Sequence, residues 1–213
     1  VTSEIEKNGV LFVSEKLRDY QIPPWIVKYL ADRKVKISEK AALMLTEFLG
    51  TDLSKVANEL DKLLITKPAS EPTITPELIE KNIGISKDFN NFELQSAIIA
   101  GDVLKVNRIA RYFADNPKNN PIIVTLSVLF NFFSNLMVYH YLQDKSQANV
   151  ARELGVNPYF VKDFQAAAKR FSAAKTLRII AWLRECDARS KGIENVSTDA
   201  GDLLKELVYK MLH

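Results

Sequence analysis

Residues 48–64 read Phe48-Leu49-Gly50-Thr51-Asp52-Leu53-Ser54-Lys55-Val56-Ala57-Asn58-Glu59-Leu60-Asp61-Lys62-Leu63-Leu64. Within this stretch Leu53, Val56, Ala57, Leu60, Leu63 and Leu64 recur at intervals of three and four. That is the period of an amphipathic helix, not the alternation of a strand. Gly50 suits the left-handed residue that closes a preceding helix, and Thr51 or Asp52 can cap the next one. Just upstream, Ile37, Ala41, Leu45, Phe48 and Leu49 share a helical face, so two helices should meet at a tight turn. Pro24 can open an earlier helix. After a loop over 67–72, Thr75-Pro76 pairs a cap with a proline in the first turn, and predicts a short helix to about Ile83.

The same grammar continues beyond a linker over 84–91. Asn90 with Glu93 makes a cap-like pair, and Gly101-Asp102 closes one helix and opens another. There Val103, Val106, Ile109, Ala110 and Phe113 form an apolar face, with Lys105, Arg108 and Arg111 in a basic row on another side. Residues 122–142 are apolar all round, which describes a helix central in a bundle or covered by a partner. Asn131, Ser134 and Asn135 interrupt it and argue against a membrane span. Two helices are expected over 146–155 and 158–171, then a long one capped by Ser172 to about Lys191. A final amphipathic helix carries Leu203, Leu204, Leu207, Val208, Met211 and Leu212.

Only Gly9-Val10-Leu11-Phe12-Val13-Ser14 reads as a strand. A lone strand needs a sheet. The chain opens on Val1, without Met, so the sheet partners are expected upstream. Gly and Pro number 7 and 8 in 213 residues, few for an all-β protein. The expected fold class is therefore all-α, in two helical modules with a remnant strand. Residues 1–87 carry 13 Lys+Arg and 13 Asp+Glu, and residues 88–213 carry 16 and 13, so the net charge of +3 lies in the second part. An excess of this size does not identify a nucleic-acid binder.

Candidate chemistry is sparse. One cysteine, Cys186, excludes an internal disulfide and a cysteine-built zinc site, and points to a reducing, intracellular setting. The two histidines are His140, inside the apolar helix, and His213, the last residue. No phosphate-binding glycine loop, nucleophile elbow or His-Glu-x-x-His motif is present. No catalytic, cofactor-binding or metal-ligating residue is expected. Residues 148–171 have a helix-turn-helix rhythm broken at Gly155, but the second helix offers Tyr159, Phe160, Lys162, Asp163 and Gln165, a poor set for reading bases. A DNA-binding regulator built on 148–171 is the alternative functional reading. The helices at 122–142 and 203–212 exceed what one small bundle buries, so Phe130, Phe133, Met137, Leu207 and Met211 are expected in the core or at a subunit interface.

The order of these features resembles the delta subunit of the bacterial DNA polymerase III clamp loader over essentially the whole chain. The residues that carry the resemblance are the Val10–Ser14 strand, Ile22-Pro23-Pro24-Trp25-Ile26, Phe48-Leu49-Gly50-Thr51-Asp52-Leu53 followed by Asn58-Glu59-Leu60-Asp61-Lys62-Leu63, and Ile74-Thr75-Pro76-Glu77. Phe89-Asn90-Asn91-Phe92-Glu93-Leu94 with Ala97, Gly101 and Asp102, and then Asp187-Ala188-Arg189-Ser190-Lys191-Gly192, complete the series. The resemblance implies the tail of a truncated AAA+-like core over 1–20, a helical lid over 21–87 and a collar bundle over 88–213. It further implies a subunit that does not hydrolyse ATP and whose collar packs beside the ATPase subunits and a delta-prime-type subunit. The missing core would bind the sliding clamp, in the bacterial cytoplasm. It places Arg189 and Lys191 towards primed DNA, although Lys191 is not aromatic and a stacking role there is replaced by a phosphate contact.

Overall fold

A computed structural model describes residues 8–10, 16–68, 71–195 and 197–213. The expected strand at Val10–Ser14 lies, apart from Val10, outside the described residues. Among the described residues are eleven α-helices and one pair of two-residue strands, so the protein is all-α.

Four helices surround a first core: α1 (Ile22–Ala31), α2 (Glu39–Leu49), α3 (Leu53–Thr66) and α4 (Pro76–Ile83). α1 starts two residues before Pro24, with Pro23 in its first turn, where a missing N–H costs nothing. Asp52, not Thr51, caps α3 by accepting from the N–H groups of Ser54 and Lys55. Thr75 caps α4 by accepting from Leu78 N–H. Between the helices, β1 (Lys36–Ile37) and β2 (Thr73–Ile74) pair in parallel, Lys36 opposite Thr73 and Ile37 opposite Ile74. This ladder ties the turn after α1 to the entry of α4. Ile22, Ile26, Leu30, Leu45, Val56, Leu60, Leu63, Ile74 and Ile79 are fully buried here.

Seven helices surround a second, larger core: α5 (Asn91–Ala100), α6 (Val103–Asp115), α7 (Ile122–Tyr141), α8 (Gln147–Leu154), α9 (Val161–Arg170), α10 (Ala173–Ser190) and α11 (Ala200–Leu212). Asn90, Asp102, Ser172 and Asp199 each accept a hydrogen bond from the first turn of the helix they precede. Gly101 holds φ +73°, a left-handed conformation that favours glycine, and an added Cβ there would only displace the flexible end of Arg170. The helix expected over 158–171 is divided: Pro158–Phe160 forms a 3-10 turn and α9 starts only at Val161. The two cores separate between Ile85 and Leu94, within reach of the linker anticipated over 84–91. α2 of the first core rests on α5 of the second.

Candidate interaction surface

α7 dominates the second core. Its twenty residues include no Asp, Glu, Lys or Arg. Thr125, Leu126, Leu129, Phe132, Phe133, Leu136 and Tyr139 form a buried face, which packs mainly on α10 and also on α9, α8, α11 and α5. Phe133 is edge-on to Phe132 at 5.3 Å and to Phe171 at 5.4 Å between ring centroids. His140 Nε2 donates to the Phe171 carbonyl at 2.9 Å, which assigns that histidine to structure.

The opposite face of α7 is open to solvent and still uncharged. Ile123 is 56% exposed, Phe130 39%, Val138 47% and Tyr141 74%, with Val124 beside them. Interleaved Ser127 and Asn131 are small or neutral. At about 1.5 Å per residue this stripe runs roughly 30 Å. α7 is long and apolar enough, by length and composition, to cross a membrane. In this fold one side of it is instead the centre of a bundle, and the other is an apolar ribbon of the kind that marks a protein contact.

The five residues expected in the core or at an interface divide between those roles. Phe133, Leu207 and Met211 are 0%, 2% and 1% exposed. They are covered by the chain's own helices and so take the core role of the two. Met137 is half-buried, and Phe130 lies in the open stripe. The expected DNA-proximal pair is engaged within the chain. Arg189 Nη1 donates to both Glu206 oxygens at 3.0 and 2.8 Å, and Lys210 Nζ reaches Glu206 at 2.7 Å. These two cations hold the Glu206 carboxyl below its usual range, the Lys210 hydrogen bond contributing most. Lys191 Nζ lies 2.6 Å from Asp187, one turn away, but stays half-exposed.

The helix-turn-helix rhythm corresponds to α8, a left-handed Gly155 at φ +63°, and α9. Val150, Leu154, Val161, Phe164 and Ala167 bury this hairpin against α7 and α5, and Lys162 sits 3.6 Å over the Tyr159 ring instead of projecting freely. Cys186 is buried and its thiol is pushed up to about 11, chiefly by burial, so it is no nucleophile at neutral pH. No group of three or more His, Cys, Asp or Glu suited to a metal ion occurs among the described residues.

The junction of the two cores holds groups that sequence reasoning missed. Glu47, near the end of α2, accepts from Phe92 N–H at the start of α5 at 3.1 Å. Burial pushes its carboxyl up to about 7, against the opposing hydrogen bonds from Phe92 and Asn91. Two turns earlier on α2, Lys40 pairs with Glu93 of α5 at 2.7 Å, and Lys105 of α6 meets the other Glu93 oxygen at 2.5 Å. Burial would raise the Glu93 carboxyl, yet the two lysines prevail and hold it below its usual range. Beside this junction a cleft of about 420 Å³ opens between α2, α5, α7 and the α8–α9 turn.

Comparisons with known proteins agree with the helical architecture. The family described as DNA polymerase III delta subunit, C-terminal domain, matches residues 88–201, more than half of the chain. No curated protein matches. Among solved structures, the Bacillus subtilis DNA clamp loader delta protein (YqeN) superposes with a TM-score of 0.62 at 21% identity over 99% of this chain. At that identity the likeness speaks for the fold. The chain spans 61% of the length of that protein.

Proposed function

The chain belongs to the DNA polymerase III delta-subunit family, and from that premise we propose that it serves as the lid and collar of a clamp-loader delta subunit. In this reading residues 21–87 are the lid and 88–213 the collar. The open face of α7 packs against a helix of a neighbouring subunit, an ATPase subunit on one side or a delta-prime-type subunit, and holds the ring together. The assembled loader opens the sliding clamp and places it on primed DNA in the bacterial cytoplasm. ATP is consumed by the neighbours, so this chain acts by position and without a cofactor. Arg189 is committed to Glu206 and braces α10 against α11. In the turn that follows α10, Lys191, half-exposed beside Asp187, is the cation that would meet a phosphate.

The observation that supports this reading is the uncharged, solvent-facing stripe of α7. Phe130 alone exposes 39% of its surface, roughly 80 Å² for a residue of about 200 Å², worth about 2 kcal/mol if covered. Phe130→Glu and Val138→Glu would each place a charge in that contact. Both variants should melt like the parent chain and fail to co-elute with purified clamp-loader ATPase subunits. Unchanged co-elution of both variants would refute the assignment of this face.

A further inference from the structure

We propose that the cleft between the two helical cores is an arginine-binding site, which takes an arginine side chain flanked by an apolar residue from a partner protein chain.

The shape allows it. A volume of about 420 Å³ lies at the lower end of the range of ligand pockets and has room for one long side chain and an apolar neighbour. The walls are aromatic. Phe92 and Phe160 meet edge-on at 6.0 Å, and Phe132 and Phe164 stack at 4.9 Å. All four line the cleft.

The charge in the cleft is one-sided. Glu47 enters from α2 and Asp163 from α9, one carboxylate from each core. Neither forms an ion pair with Lys or Arg among the described residues. Burial pushes the Asp163 carboxyl up, against the weaker pull of Lys162, whose ammonium is drawn over Tyr159. Glu47 is raised further, to about 7. Glu47 has the Phe92 N–H as a donor, but among the described residues the two carboxylates have no cationic partner. Carboxylates partly withdrawn from water, as both are here, cost less once an opposite charge arrives.

A guanidinium answers each feature. It carries five N–H donors in a plane, it stacks on aromatic rings, and it is less strongly hydrated than an ammonium. A divalent metal ion is a poorer match, because among the described residues the two carboxylates have no third ligand of metal-binding type beside them.

The test is a titration of the 15N-labelled 213-residue chain with the peptide acetyl-Ala-Leu-Arg-Leu-Ala-amide at pH 8. A second peptide carries citrulline, the neutral isostere, in place of arginine. The arginine peptide should shift the backbone amides of Phe92, Gly155 and Asn157, with saturation at roughly millimolar concentration for so small a ligand. The citrulline peptide should bind at least about tenfold more weakly, and Asp163→Asn should weaken the arginine peptide by a similar factor. Glu47→Gln should do the same. Should that variant fail to fold, Asp163→Asn, on the more open side of the cleft, carries the test. Equal affinity for the two peptides would overturn the proposal. So would shifts confined to another surface, an Asp163→Asn chain that binds as well as the parent, or no shifts at about ten times the expected range.

Discussion

Replacing Glu47 by Gln should make the chain more stable at pH 8, by an amount set by burial at the junction of the two cores. Burial raises the Glu47 carboxyl from an ordinary 4.5 to about 7. Between those values the folded chain keeps a proton that the unfolded chain has released. The stabilising contribution of this group is therefore complete below pH 4.5, fades as pH rises, and is gone above about pH 7. The gap from 4.5 to about 7, at about 1.4 kcal/mol per pH unit, amounts to about 3 kcal/mol. Glutamine keeps an acceptor for Phe92 N–H and carries no charge, so its stability should not fall across this window. The assay is guanidinium unfolding followed by far-UV circular dichroism at several pH values from 5 to 8, for parent and variant. The difference between the two cancels groups they share. The carboxylates held low, such as Glu93 and Glu206, lose their contribution only as pH falls below the ordinary carboxylate range. Parallel curves for the two chains, or a variant less stable at pH 8, would refute the assignment of Glu47 as an acid whose charged form is disfavoured by burial despite its hydrogen bonds.

Two further outcomes follow from the packing. Phe133→Ala empties a fully buried ring site between Phe132 and Phe171 and should cost about 3–5 kcal/mol, read as a lowered denaturation midpoint with α7 still helical. Glu93→Gln strips Lys40 and Lys105 of their shared partner. With the lysines partly in water it should cost about 1–3 kcal/mol at pH 7, and the loss relative to the parent should shrink as pH falls below 4. A constant difference down to pH 2 would show that the carboxylate's charge is not what binds the helices.

Much of the fold was legible because helix ends are written locally. Asp52 and Asp102 each cap a helix that the apolar spacing had outlined, and Thr75, Asn90 and Ser172 cap helices that their own cap signals announced. The β1–β2 pair escaped notice because two residues make no alternation to read. The all-round apolarity of α7 was visible, but which face stays open depends on where α8 to α11 settle, so the sequence left core and interface undivided among five residues, of which Phe133, Leu207 and Met211 are core. Nothing local in the sequence separates Glu47 from a solvated carboxylate near a helix end. Its burial is created by Phe92, 45 positions later, and no local pattern records that. Likewise Lys105 stood in an apparent basic row until α5 brought Glu93 to it, and Arg189 stood next to a loop until α11 supplied Glu206.

The central claim is that the open face of α7 is covered by a neighbouring subunit in the assembled loader. Placing the photo-cross-linker benzoylphenylalanine at position 130, and separately at position 65, tests it directly. Ile65 is 84% exposed and belongs to α3, away from α7. Irradiation of the chain mixed with the purified loader ATPase subunits should cross-link position 130 to a helix in the neighbour's collar and leave position 65 unreacted. A complex that forms normally while position 130 captures only solvent would contradict the account.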